Sequence, residues 1–488
     1  MRRGLLIAAI VLQGCASYNA NYKANKYADE ARKLDREGRT IEASGYWARA
    51  SIKADSILAH HPDGKYAPGA LAIKGEASAA VGQCGQASRV LPAAIEQLKN
   101  EEDREQATLA LASCELRVGS PDLAASTVLP VTESHDAGRR RQALLLLGTA
   151  QRRTGQDTAA LRSLAGLPGT PALLQRTLAY AGAREPVAAT SAFDSLIALR
   201  DSMLPWDSLL VITGRVDPGL AFQFTSTLVH SQTLSPERAV ALSFADATRL
   251  GAVDTTLQRE RYEDIIRMTG AGEQADRARF DMLQMRIRAA DSMADLTATL
   301  DAMQALAATD GALAGVVVPL RLQIQHMQML MDSTSPGEPM GDMRRFLAAE
   351  FARDSLVARP LAVATFASIP QGWPESPYAA KAWLARRQLT GDTLDAGGQF
   401  NGSPYMAVLR GEEGATYTQL EDSLATYARM LVAAAKPQAT PAGTARRVDG
   451  TVDRNDDDAP SVRRRTQQRP RTTTSKAPVG GAPAVPKD

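Results

Sequence analysis

Apolar residues recur at three- and four-residue intervals along most of the chain, and glycine or proline interrupts these segments. In the first third, Gly38, Gly82, Gly119 and Gly155 are spaced by 44, 37 and 36 residues. Each glycine follows one segment of helical period and precedes another. The pattern therefore predicts a series of helical hairpins that turn at these glycines.

The same small residues flank each of the four glycines. Ala31, Gly75, Ala112 and Gly148 stand seven residues before them, Ala43, Ala87, Ala124 and Ala160 stand five residues after them, and Trp47, Leu91, Val128 and Leu164 stand four residues further on. Small residues let two helix backbones approach closely, and we expect the bulky residue to fill the groove of the next unit. This arrangement predicts tightly paired helices that stack in series.

The pattern resembles the tetratricopeptide repeat (TPR), in which a small residue, a turn glycine, an alanine, a large apolar residue and a proline recur about every 34 residues. The long first spacing predicts a longer second helix before Pro62. A second matching block contains Ala362, Phe366, Ile369 and Pro374. After it, residues 376–384 open a new first helix that ends near Gly391, and this run resembles the joints of periplasmic repeat lipoproteins, including those that serve outer-membrane barrel assembly.

The predicted fold class is all-α, a TPR-like helical-hairpin solenoid with a disordered C-terminal tail. Aromatic residues make up only 5% of the chain, and Ala and Leu supply much of its apolar content, which favours helices over strands. The predicted divisions are a lipoprotein signal peptide (1–14), N-terminal TPR-like repeats (15–170), degenerate helical repeats or a helical insert (171–345), C-terminal TPR-like repeats (346–435) and a disordered basic Pro/Thr/Arg-rich tail (436–488).

The first residues carry an export signal. Two arginines, an apolar stretch over residues 4–12 and small residues around Cys15 are typical of a secretory signal, and the stretch is shorter than the roughly 20 residues of a membrane span. The run Leu12-Gln13-Gly14-Cys15 resembles the bacterial lipobox, which implies that Cys15 is acylated. Ala16 follows in place of Asp, which implies an outer-membrane lipoprotein that faces the periplasm. An ordinary cleaved signal is the alternative.

Two further cysteines, Cys84 and Cys114, lie in predicted helices of adjacent repeats. An oxidising exported compartment permits a bridge between them. A bridge requires Cα atoms within about 7 Å, which the sequence does not show. We expect two buried unpaired cysteines, with a disulfide as the alternative.

Charge and motifs exclude several function classes. The net charge of +2 is small, so we expect no nucleic-acid partner. The tail holds 11 Lys or Arg against 6 Asp, so it is either a contact for an anionic envelope polymer or a solvated segment. The five histidines lack metal-ligand spacing, and no phosphate loop or Gly-x-Ser-x-Gly elbow occurs. We therefore expect no enzyme activity, catalytic residue, metal or cofactor.

The TPR resemblance places the peptide-binding groove on the first helix of each repeat. By register, the groove residues are Arg32, Arg36, Leu109, Ser113, Leu116, Arg117, Leu145, Thr149, Arg152 and Arg153. Five arginines would suit an acidic segment or a carboxyl terminus, and the alternative is that they only solvate the helices.

The predicted function is a lipid-anchored scaffold that binds envelope proteins or peptides, in envelope assembly or in the regulation of an envelope complex. The alternative is a substrate-capturing lipoprotein of a glycan-uptake system. That class stacks sugars on clustered aromatic side chains, and the chain has four tryptophans.

Overall fold

The computed structural model describes residues 2–309, 311–332, 338–392, 398–412 and 414–434, with the side chains of 2–17, 311, 415 and 431–434 excepted. Every regular element in these ranges is helical, and they contain no strand. The predicted all-α solenoid of TPR-like hairpins is confirmed. The tail predicted at 436–488 lies outside the described residues.

The helices follow one another with short connections. The first ten are α1 (Arg2–Arg36), α2 (Thr40–His60), α3 (Ala67–Ala80), α4 (Cys84–Gln97), α5 (Glu101–Arg117), α6 (Pro121–Val128), α7 (Ala137–Arg153), α8 (Asp157–Leu164), α9 (Thr170–Gly182) and α10 (Pro186–Ala198), with a 3₁₀ turn at Leu129–Glu133 after α6. The next eight are α11 (Trp206–Val216), α12 (Pro218–His230), α13 (Pro236–Leu250), α14 (Thr255–Thr269), α15 (Glu273–Ala289), α16 (Met293–Thr297), α17 (Leu300–Thr309) and α18 (Gly311–Asp332). The last five are α19 (Gly341–Asp354), α20 (Arg359–Gly372), α21 (Ala379–Thr390), α22 (Pro404–Leu409) and α23 (Ala415–Ala434).

The four predicted turn glycines end α1, α3, α5 and α7 in the same way. Gly38, Gly82, Gly119 and Gly155 have φ of 77°, 82°, 85° and 77°, a left-handed conformation that glycine adopts without steric cost. After each glycine, the next backbone N–H donates to the carbonyl five residues back, as from Gln83 to Ser78 at 2.8 Å. This 6→1 hydrogen bond identifies a Schellman cap, which reverses the chain into the second helix.

The small residues lie where the two helices of a hairpin approach most closely. A Cβ placed on Gly75 would lie 2.4 Å from a methyl carbon of Leu91, and one on Gly148 would lie 2.5 Å from Cγ of Leu164. Leu91 and Leu164 are fully buried. Each leucine packs against the glycine of its own hairpin and also belongs to a core cluster with residues of the next hairpin, in α5 for Leu91 and in α9 for Leu164.

Neighbouring hairpins contact one another through their first helices. The first helices α1, α3, α5, α7 and α9 pack side by side in chain order, and α11 continues the row. The second helix α2 has 21 residues, against 14 in α4, which confirms the longer second helix expected from the first spacing. These hairpins all belong to one compact unit, Met1–Arg429.

The packing pattern continues past residue 170 without a turn glycine. Arg184 ends α9 with φ of 59°, and Thr177, Ala189 and Phe193 stand at the offsets of the earlier small, alanine and bulky residues. All three are fully buried. The α9–α10 hairpin therefore repeats the N-terminal geometry, with an arginine in the left-handed position.

The second block follows the same rule. Val357 has φ of 55°, and Ala362 and Phe366, five and nine residues later, are fully buried in α20. Gly391, with φ of 75°, ends α21 as expected. The backbone N–H of Leu361 donates to the carbonyl of Ala290 at 3.0 Å. This hydrogen bond joins α20 to the end of α15, although α16 to α19 separate the two helices in the sequence. The division of this region at residue 345 stays a prediction.

The expectation of unpaired cysteines is wrong in the structure. Cys84 at the start of α4 and Cys114 in α5 form a disulfide with a Cα–Cα distance of 5.1 Å. Both residues are buried in the cluster that joins the second and third hairpins. The pairing arises because α5 returns alongside α4, a proximity that only the three-dimensional stacking creates.

Alanine should have opposite effects at two helical glycines, at Gly148, which contacts Leu164, and at Gly45, which has open space around it. Gly148→Ala should lower the free energy of unfolding by about 1–3 kcal/mol, because the added methyl overlaps a buried leucine. Gly45→Ala in α2, where an added Cβ has nothing within 4 Å, should raise the free energy of unfolding by about 0.5–1 kcal/mol through helix propensity. Urea denaturation followed by circular dichroism measures both, and a stabilising Gly148→Ala would contradict the proposed packing.

Candidate functional site

The candidate site is the row formed by α1, α3, α5, α7 and α9, which we call the first-helix face. The ten predicted groove residues all lie on three of these helices, in α1, α5 and α7. Stacked helical hairpins generally bind partners along such a surface. The contacts of each residue decide which of them are free to do so.

Arg32 is committed to a contact between neighbouring repeats. Its Nε and Nη2 donate to the two carboxylate oxygens of Glu76 in α3 at 2.9 and 3.0 Å, and its Nη1 contacts Asp29 at 2.8 Å. The side chain of Glu76 is only 5% exposed, and burial raises its pKa, an effect that the Arg32 charge partly offsets. The predicted groove arginine is therefore a structural partner of a buried carboxylate.

Arg117 and Arg153 act as caps on the preceding repeat. Arg117 donates to the carbonyl of Ala79 at 2.7 Å, and Arg153 donates to the carbonyl of Leu116 at 2.5 Å. Both acceptors lie in the last turn of the neighbouring first helix, where carbonyls lack helical partners and a positive charge is favourable. The two arginines stand two residues before their own turn glycines, so the contact repeats with the hairpins.

The remaining predicted residues divide into buried and accessible positions. Leu109 and Leu116 are 3% and 5% exposed and pack in the core, which removes them from the binding surface. Arg152 donates to the side-chain oxygen of Gln175 in α9 at 2.8 Å, and burial lowers its pKa. Leu145 is half-buried against the core around Leu164. Leu109 and Leu116 do not line the groove, because the second helix α6 of their own hairpin and the next first helix α7 cover them.

Arg117 and Arg153 stay exposed beside their caps, and three further predicted residues leave polar groups on the face. Arg36 is exposed at the end of α1, and no ion pair to it occurs within the described residues. Ser113 and Thr149 are half-buried at the offset of Arg32 and Glu76 in their own hairpins. The Thr149 hydroxyl donates to the carbonyl of Leu145 in its own helix at 2.7 Å.

The sequence interpretation missed the buried carboxylate that holds Arg32 and a second ion pair between first helices. Glu76 stands six residues before Gly82, as Arg32 does before Gly38, so opposite charges occupy one register position in consecutive hairpins. That coincidence could have predicted the ion pair. Arg139 at the start of α7 contacts Glu105 of α5 at 2.5 Å, and no shared offset indicates this second pair.

A second charged cluster lies in the middle segment. Arg261 of α14 is fully buried and donates to Asp246 of α13 and Asp264, each at 3.0 Å, and to the carbonyl of Phe222 in α12 at 2.7 Å. Its guanidinium also stacks over the Phe222 ring, 4.2 Å from the centroid. Each of the three guanidinium nitrogens donates a hydrogen bond and the guanidinium lies over a ring, so the cluster joins three helices.

Two absences apply to the described part of the chain. No three His, Cys, Asp or Glu side chains converge there in a way that could hold a metal ion. None of the helices there is both long and apolar enough to cross a bilayer.

Comparison with known proteins finds similarity among solved structures. No protein-family model and no curated protein matches the chain. Among solved structures, the chain is similar to a tetratricopeptide repeat protein from Parabacteroides merdae ATCC 43184, with 11% identity and a TM-score of 0.34, over 53% of this chain and 97% of that one. The TPR-like fold is established by the hairpin geometry given above.

The Arg32–Glu76 pair predicts an asymmetry between single and double substitutions. Arg32→Met should lower the free energy of unfolding by about 3 kcal/mol at pH 7, because it leaves a buried carboxylate unpaired. Arg32→Met combined with Glu76→Leu should cost less than the single change, because no charge remains to be desolvated.

The pH dependence follows from the raised pKa of Glu76. Below the unfolded pKa of about 4.3 the carboxyl is protonated in both states, so the deficit of Arg32→Met should shrink there and grow as the pH rises. Urea denaturation at pH 4 and pH 7 measures it, with the exposed Arg36→Met as a control expected to change stability by less than about 0.5 kcal/mol. A single variant no worse than the double one would rule out the buried pair.

Proposed function

We propose that the protein is a lipid-anchored scaffold that binds protein partners at the cell envelope, as an outer-membrane lipoprotein that faces the periplasm. Its role would be envelope assembly or the regulation of an envelope complex. The observation that carries the binding role is the first-helix face, an extended row of like helices on which repeats place polar side chains at a fixed offset.

The anchor rests on the sequence. The run that ends at Cys15 follows an apolar stretch behind two arginines, as in the bacterial lipobox it resembles. Cys15 lies within α1, and its side chain is outside the described set. Acylation of Cys15 would hold the first hairpin near the membrane.

Partner recognition on this face would depend on hydrogen bonding and shape more than on a field of free arginines. Arg32, Arg117, Arg152 and Arg153 already donate to groups of this chain. Arg36 remains available for a carboxylate, as do the unused donors of the exposed Arg117 and Arg153. The basic tail would add a separate contact with an anionic envelope polymer.

Two of the four tryptophans are buried and so unavailable to the glycan-capture alternative, and the other two, Trp373 and Trp383, are half-buried. Trp47 and Trp206 are 4% and 1% exposed, and the indole N–H of each donates within the chain, to Asp35 and to the carbonyl of Asp201. A sugar-stacking platform needs accessible ring faces. We therefore propose only the scaffold.

The anchor predicts that Cys15→Ser abolishes acylation. The variant should lose incorporation of radiolabelled palmitate and move from the membrane fraction to the soluble fraction, because it lacks the thiol that is proposed to carry the lipid. Ser17→Ala, two residues along, should behave as the unchanged chain. Persistent labelling of Cys15→Ser would remove the anchor from the proposal.

The scaffold role predicts where partners crosslink. A photoreactive residue at Ser113 or Thr149, on the first helices α5 and α7, should capture protein partners in intact cells. The matched positions Ser126 and Thr158, exposed on the second helices α6 and α8, should capture at least several-fold less. Equal capture from the two sets, read on immunoblots, would contradict binding on the first-helix face.

A further inference from the structure

An open cleft lies between α13, the end of α14 and the start of α15. Its volume is about 690 Å³, within the range of roughly 300–1,000 Å³ that small-molecule and side-chain sites occupy. Val240, Phe244 and Met268 form its apolar lining, and Glu237, Glu273 and Arg277 stand around it. None of these residues belongs to the predicted groove.

The cleft occurs where the hairpin pattern is broken. Phe244 stands seven residues before Gly251, the offset at which each N-terminal hairpin has Ala or Gly, and Gly251 has an ordinary φ of −57°. The fully buried small residues of α13 are instead Ser243 and Ala247. The ring of Phe244 is therefore not enclosed between the paired helices, and part of it faces the cleft.

The lining suits a bulky apolar side chain. Phe244 packs edge-on against Tyr262 with centroids 6.3 Å apart, and the Arg277 guanidinium lies 4.7 Å from the Phe244 centroid. Met268, Met282 and Met285 are partly buried in the same cluster. Methionine side chains adjust their shape to different occupants, as at other promiscuous binding surfaces.

The charges around the cleft favour particular residues on either side of the bound apolar side chain. Glu237 and Glu273 are exposed in the first turns of α13 and α15, and within the described ranges neither forms an ion pair or a side-chain hydrogen bond. Each carboxylate exceeds the partial charge of about +0.5 at its own helix amino terminus. The full positive charge of Arg277 lies over the Phe244 ring, so the excess negative charge is local to Glu237 and Glu273. The cleft is thus complementary to an apolar residue flanked by cations.

We propose that this cleft binds a peptide segment of a protein partner, with a large apolar or aromatic side chain over Phe244 and Met268 and a lysine or arginine on either side, opposite Glu237 and Glu273. The inference rests on the proposed scaffold function and adds a second binding surface to it, with the opposite charge preference to the predicted arginine groove.

The test is selection from a phage-displayed library of random dodecapeptides on the full-length chain, followed by fluorescence anisotropy with the recovered peptides. The recovered sequences should combine an aromatic or large aliphatic residue with nearby Lys or Arg. Phe244→Ala should weaken their binding at least tenfold, as expected for an anchor pocket. Glu237→Gln with Glu273→Gln should weaken it several-fold and reduce its salt dependence.

Two controls separate an effect on the cleft from a general effect of charge or of unfolding. Glu260→Gln, an equally exposed carboxylate on α14, should leave the affinity unchanged. The two carboxamide changes lie on the surface and keep the fold, so they test the cleft even if Phe244→Ala unfolds α13, which circular dichroism would reveal.

Recovery of acidic peptides, of no peptides, or of peptides that bind the cleft variants as tightly as the unchanged chain would overturn the cleft proposal. The scaffold function fails separately, if crosslinks at Ser113 and Thr149 do not exceed those on the second helices.

Discussion

The rest of the solenoid depends on one contact, between a small residue in the first helix of a hairpin and a bulky apolar residue in the second. At Gly75 and Gly148 the approach is so close that even a methyl group would overlap the opposing leucine. Interiors packed at this density fix the crossing of the two helices. Once every hairpin has the same crossing, first helices meet first helices, and side chains at one offset face each other across repeats.

Features that depend on residues within one hairpin could be predicted from the sequence. Features that depend on how two hairpins pack against each other could not. Turns at Gly82 and Gly119 were predictable because their φ values exclude most other residues. The turn at Arg184 was not predicted, because the surrounding packing holds a non-glycine residue in the same left-handed conformation. The small and bulky residues around Arg184 nevertheless stand at the offsets of the repeat. The Cys84–Cys114 bridge could not be derived, since it depends on how α5 returns beside α4.

The arginines of the first-helix face illustrate the same limit for the candidate site. Register correctly placed Arg117 and Arg153 at repeated positions, and the repetition itself supplies each with a carbonyl of the preceding helix. Each of these guanidinium groups uses one of its five N–H donors on the cap, a hydrogen bond typically worth about 1.5–3 kcal/mol, and both side chains remain exposed. Cohesion between repeats therefore fixes the position of each arginine and leaves its other donors for a partner.

Binding capacity is then more easily found where the packing rule is relaxed. In α13 the fully buried small residues are Ser243 and Ala247, while the phenyl ring of Phe244 stays only partly buried and lines the cleft. Local departures of this kind in natural proteins tend to coincide with functional surfaces. Alanine at position 244 would remove apolar lining from the cleft and leave Ser243 and Ala247 in place. A partly exposed ring gains less from burial than an enclosed one, and a phenylalanine that lines the cleft is what a binding role requires.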